Sequence, residues 1–93
     1  MGMGTLKRQL QLQDLTNIST VITRKLRQAG LDTPDQLYAM GSKEAFVRIK
    51  LQDPTACLNM LYALEGAIRG IRWHHMDAEV KSELKAFFAK VNQ

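Results

Sequence analysis

Cysteine occurs once in the 93 residues, at Cys57, so no disulfide can close within the chain. Tryptophan also occurs once, at Trp73, and aromatic residues make up only 6% of the total. The six glycines are scattered along the chain rather than gathered into a loop, so no phosphate-cradling loop is present. No nucleophile is paired with a base, and no acid with a partner acid, in a spacing that points to catalysis; the expectation is a protein that is not an enzyme. Adjacent His74 and His75 have no further ligands in register, so neither a metal nor another cofactor is expected. Secretory, lipidation and membrane-spanning patterns are missing, which makes the cytoplasm the default compartment and a membrane partner unexpected.

What is present is the composition of one folded domain: 45% hydrophobic and 24% charged residues with a formal charge of +4. The charge is uneven. Residues 1–50 hold eight Lys/Arg against four Asp/Glu, a surplus of four, whereas residues 51–93 hold five of each. A local basic surplus suits phosphates or an acidic partner, and equally suits a solvated face.

The stretch from Ala56 to Met76 dominates the pattern. From Cys57 to Ile71 only Asn59, Glu65 and Arg69 carry charged or amide side chains. Cys57, Leu61, Leu64, Ile68 and Ile71 recur at helical spacing, and Met60, Ala63 and Ala67 widen the stripe. Such a helix is too short and too interrupted to cross a bilayer, so its neighbours must cover it, with Cys57 as a small buried apolar residue. Gly66 and Gly70 each weaken the helix by about 1 kcal/mol relative to alanine, a cost justified only where another backbone packs closely; both are read as a packing seat. Glu65 and Arg69 stand four apart in the favourable order for an ion pair that helps neighbouring turns dock.

The remaining segments read as helices with local punctuation. A first helix is expected over about Thr5 to Gln13, behind a patternless Met1–Gly4 read as a frayed end, with residues 5–93 as a single domain. After the break at Leu15-Thr16-Asn17-Ile18-Ser19, a helix over Thr20 to Ala29 turns Val21, Ile22, Leu26 and Ala29 inward and Arg24, Lys25 and Arg27 outward; Gly30 ends it and Leu31 folds back. Thr33, Pro34 and Gln36 form a capping box for a short helix through Met40. Gly41 closes that helix and Ser42 caps the next, in which Ala45, Phe46 and Ile49 face inward. Asp53-Pro54 repeats the cap-then-proline device ahead of the central helix. Trp73 lids the core, and Asp77 caps a last helix with Val80, Leu84, Phe87, Phe88 and Val91 on one stripe. The fold class is all-α, a compact bundle of about five helices around the central apolar one.

The spacing L-x-N-I-x…K-L-x-x-A-G-L-x-T-P-x-x-L…G, carried by Leu15, Asn17, Ile18, Lys25, Leu26, Ala29, Gly30, Leu31, Thr33, Pro34, Leu37 and Gly41, resembles a helix-hairpin-helix-like domain. Together with the run from Cys57 to Trp73 it resembles the C-terminal domain of the TfoX/Sxy family of bacterial competence regulators, over roughly residues 12–88. That resemblance implies a non-enzymatic module of a transcription regulator, acting mainly through contacts with a regulator or transcription-machinery protein. It also implies that full-length relatives carry an N-terminal α/β domain, which nothing in this chain matches. A second reading is sequence-independent DNA binding through phosphates. There Asn17, Ser19 and Thr20 donate to the backbone, and Arg24, Lys25 and Arg27 add salt-dependent attraction. Thr16 and Ser19 stand where the resembling hairpin carries proline and glycine, replacing close backbone approach with hydroxyl contact. A homodimer closed by Met and aromatic residues is a third reading.

Overall fold

The computed structural model describes residues 10–92. Five α-helices follow one another: α1 (Thr20–Gln28), α2 (Pro34–Met40), α3 (Ser42–Gln52), α4 (Leu58–Arg69) and α5 (Ala78–Val91), with 3₁₀ turns at Leu12–Asp14 and Trp73–His75. No strand occurs among the described residues, and none of their helices is long and apolar enough to cross a membrane. The expected first helix and the expected frayed Met1–Gly4 fall wholly or mostly outside the described residues. Where it is described, the 5–13 segment ends in the 3₁₀ turn that buries Leu12 completely.

α4 is the central element. It packs on both α3 and α5, and Leu61, Tyr62, Ala63, Leu64, Gly66 and Ala67 are all buried. Phe46 and Ile49 of α3, Leu84 of α5 and Leu26, Leu31 and Leu37 from α1, α2 and their link complete a single core. Each fully buried Leu, Ile or Phe side chain contributes about 1.5–3 kcal/mol of apolar burial, so the centre of the bundle outweighs any single surface contact.

Local punctuation works as expected on both sides of the link between α1 and α2. Gly30 takes φ +95 after α1, and the Leu31 amide donates back to the Leu26 carbonyl at 2.9 Å while its side chain is fully buried. Thr33 Oγ1 accepts from Gln36 N at 3.2 Å, and Gln36 Oε1 accepts from Thr33 N at 3.2 Å, closing the capping box. Trp73 packs against the core and stacks on Tyr62 with ring centroids 5.4 Å apart, as a lid would.

Several expectations are corrected. Cys57 is exposed: α4 begins at Leu58, so Cys57 occupies the extended N-cap position and is not in the helical stripe. Ile71 leaves the stripe because Gly70, at φ +75, reverses the chain before it. Nothing approaches Gly70, which terminates the helix and is no packing seat; Gly66 alone has that role. Asp53 caps the end of α3 rather than launching α4, and its Oδ1 accepts from Thr55 N and Oγ1 in a local turn. Gly41 serves as the end of α2 and the start of α3, so Ser42 is already helical and its hydroxyl is used elsewhere. Asp77 occupies the N-cap position of α5 without making a side-chain cap bond. On α1 the inward face runs through Ile22, Thr23 and Leu26, leaving Val21 exposed.

Candidate functional site

The hairpin Leu15–Ser19 and the helix it opens contain every residue singled out for phosphate contact. Leu15 and Ile18 anchor the turn in the core, and Ile18 N donates to Leu15 O at 3.2 Å. Between them Asn17 sits at φ +72, a left-handed conformation that asparagine tolerates better than other side-chain-bearing residues.

That geometry aims the Asn17 amide inward. Its Nδ2 donates to the Ile71 carbonyl at 2.8 Å and lies 3.5 Å from the Ala63 carbonyl, while its Oδ1 accepts from the Trp73 amide at 3.2 Å. The hairpin is thereby fastened to the last turn of α4 and the connector after it. Gly66 makes room for this: a Cβ there would meet the Ile71 carbonyl oxygen at 2.7 Å and the Trp73 nitrogen at 3.2 Å, with the Asn17 amide closer still. Asn17, placed by the sequence among the phosphate donors, spends both ends of its amide inside the fold.

The other five candidates divide. Ser19 caps α1, its Oγ accepting from Ile22 N at 3.1 Å. Lys25 pairs with Asp53, bridging α1 to the end of α3. That contact, with the Thr55 hydroxyl, holds the Asp53 carboxyl down to about 2. Thr20, Arg24 and Arg27 remain exposed along one groove of α1, beside Gln13, Thr23 and Gln28. Among the described residues neither arginine has an ion-pair partner. Thr23, which no sequence signal marked, is 4% exposed and its hydroxyl has no hydrogen-bond partner among the described residues.

A second polar centre joins α3 to α4. Ser42 Oγ donates to Glu65 Oε1 at 2.5 Å, and Arg69 Nε donates to Glu65 Oε2 at 2.6 Å. The expected Glu65–Arg69 pair is thus one half of a three-residue link, whose other half docks α3 through a buried serine. Alongside it Lys43 pairs with Glu83 of α5 at 2.6 Å, lowering the Glu83 carboxyl below its ordinary range through that hydrogen bond and the adjacent charge.

On the outside of α3, Leu51 is 79% exposed and borders a shallow groove with Val47 and Ala29, rimmed by Glu44, Arg48 and Gln52. Arg48 and Glu44 pair across one helical turn at 3.4 Å. Gln52 Nε2 donates to the Gln28 carbonyl at 2.9 Å, tying α3 to the end of α1. His74 is exposed and stacks on Trp73, and no group of three or more His, Cys, Asp or Glu side chains gathers where a metal could be held among the described residues.

Fold and surface together define a small all-helical domain whose opening hairpin is locked to a central apolar helix. The family model of the TfoX C-terminal domain matches residues 8–88, and the chain belongs to that family. It is similar to a crystal structure of an uncharacterized protein from Listeria monocytogenes, triclinic form. The identity there is 48% and the TM-score 0.87, covering 88% of this chain and 93% of that one. A tetragonal-form crystal structure of a protein of unknown function from the same organism is 49% identical with a TM-score of 0.85, covering 86% of this chain and 99% of that one. No curated protein matches the chain.

Proposed function

We propose that the chain is a non-enzymatic interaction module that meets another protein, of the transcription-regulator class, through the outer face of α3. The observation that carries this reading is Leu51, 79% exposed on a helix whose opposite face is packed into the core. A single exposed leucine is ordinary, but here Val47 and Ala29 continue the apolar surface, and the Glu44–Arg48 pair and Gln52 frame it. An apolar centre with a polar rim is the anatomy of a protein contact. Membership of the TfoX C-terminal family supports a regulatory setting.

A photo-crosslinking residue placed at position 51, with the same residue at exposed Lys85 as control, tests the reading in cell extract. A protein adduct specific to position 51 and abolished by Val47→Glu is expected. Identical adducts from both positions, or none at 51, contradict it. Sedimentation of the purified chain at high concentration separates a second copy from a different protein as the occupant.

The DNA reading keeps Thr20, Arg24 and Arg27 and loses Asn17 as a donor, because the Asn17 amide is occupied at both ends. A short duplex titrated at two salt concentrations measures what remains: steep weakening with salt and loss on Arg24→Glu favour it over the protein contact.

A further inference from the structure

Two grooves of opposite character share the 3₁₀ turn Leu12–Asp14 as a wall. Gln13 lines one of them, together with Thr20, Arg24 and Arg27 of α1. Gln11, the N-cap of the same turn, lines the other with Leu10, Asp35 and Tyr38, around a volume of about 310 Å³. Arg24 and Arg27 are exposed cations and Asp35 is an exposed anion, and among the described residues none of them has an ion-pair partner. Leu10 is 57% exposed and Tyr38 43%, so the acidic groove also carries apolar surface that the described residues leave uncovered.

A basic helix face alone suits many anions, and an exposed leucine and tyrosine suit many apolar surfaces. What narrows the occupant is that each groove holds what the other lacks. A guanidinium can take the Asp35 carboxylate in a charge-assisted bond or lie flat on the Tyr38 ring, while its aliphatic stem covers apolar surface such as that of Leu10. A nucleic acid would satisfy Arg24 and Arg27 but would leave Asp35 unpaired and Leu10 and Tyr38 bare. A second copy of the chain satisfies both grooves at once, because a two-fold axis running past the shared turn brings the basic groove of each copy onto the acidic groove of the other.

We propose that the chain associates with a second copy of itself about such an axis, with Arg24 and Arg27 of each copy closing on Asp35 and Tyr38 of the other. The two contacts form together, so association ends at the dimer; head-to-tail pairing would leave one groove of each sign empty at the ends of a growing chain. α3 lines neither groove, so the proposal does not rest on what Leu51 meets.

Sedimentation of the whole chain over a range of concentrations, at low and at high salt, tests this with charge-reversed variants. A monomer–dimer equilibrium that weakens as salt rises is expected. It should weaken about tenfold or more in a chain carrying Arg24→Glu with Arg27→Glu, and likewise in one carrying Asp35→Lys, and stay unchanged in Leu51→Glu. Mixing the two reversed chains should restore the dimer, because the glutamates of one then face the lysine of the other while the native pairing persists on the far side of the axis. Restoration also shows that both variants are folded. A chain that stays monomeric at the highest concentration overturns the proposal, as does a dimer that survives both reversals or a mixture that stays monomeric. Loss of the dimer in Leu51→Glu overturns it in favour of a contact through α3, and assembly that grows past the dimer overturns the two-fold arrangement.

Discussion

Around α4 the polar side chains are consumed within the fold, whereas on the outer faces of α1 and α3 both polar and apolar groups are left unused. Asn17, Ser42 and Glu65 each reach a partner 23 residues or more away in sequence and each ties another element to α4. Among the described residues, Arg24 and Arg27 on the outside of α1 and Leu51 on α3 have no such partner. The same residue types therefore mean different things in the two regions. Near α4 a polar group marks an architectural joint, and on the outer helices it marks a surface kept available.

The contrast breaks most severely at Gly66. Alanine there gains about 1 kcal/mol of helix propensity but forces a Cβ against the Ile71 carbonyl, the Trp73 amide and the Asn17 side chain. Overpacking of this kind costs about 1–3 kcal/mol, and displacing the Asn17 bonds adds to it. A net loss of about 2 kcal/mol, or roughly 8–16 °C in the melting midpoint, is expected by calorimetry. The same change at Gly70 meets open space and is opposed only by its positive φ, so its loss should be smaller.

Asn17 comes next. Asn17→Gly keeps the left-handed backbone while removing the bonds to Ile71 and Trp73, and should cost about 1–3 kcal/mol in denaturant melts; Asn17→Ala, strained at φ +72, should cost more than Asn17→Gly. Equal losses would mean that the backbone conformation contributes nothing. Glu65→Ala leaves the buried Ser42 hydroxyl without its acceptor and should cost about 1–2 kcal/mol, most of which Ser42→Ala in the same chain should restore. A Glu65→Ala chain that melts like the parent would dismiss the α3–α4 link.

The smallest effect is the pH dependence of the Lys25–Asp53 bridge. Because folding depresses the Asp53 carboxyl to about 2, its contribution is present above its unfolded value near 3.8 and is lost as pH falls through the folded value. Midpoints of the parent and Asp53→Asn chains, measured from pH 6 downward, should converge between about pH 4 and 2. A gap that stays constant across that range would rule the bridge out. Leu51→Glu, in contrast, should shift stability by no more than about 0.5 kcal/mol, since the side chain covers nothing.

The helices, and the ends marked by signals within one or two turns, were legible because those signals are local. Gly30 followed by Leu31, the Thr33–Gln36 box and the α5 stripe each act within one or two turns. The Glu65–Arg69 pair was legible for the same reason, but its third member, Ser42, was hidden by 23 residues of chain. Asn17 was ambiguous because an amide after a break can cap, turn or bind, and its bonds to Ile71 and Trp73 depend on residues far along the chain. Cys57 misled because apolar spacing cannot locate the first helical residue. Thr23 was invisible: a threonine next to Arg24 reads as polar face, and its burial depends on how α1 packs against the rest of the fold.

The melting midpoints of Asn17→Gly and Leu51→Glu, taken side by side, test the contrast between the two regions most directly. A fall of several degrees for Asn17→Gly beside a nearly unchanged midpoint for Leu51→Glu is the expected result. A fall of similar size in both, which would make Leu51 as much a structural joint as Asn17, would contradict it.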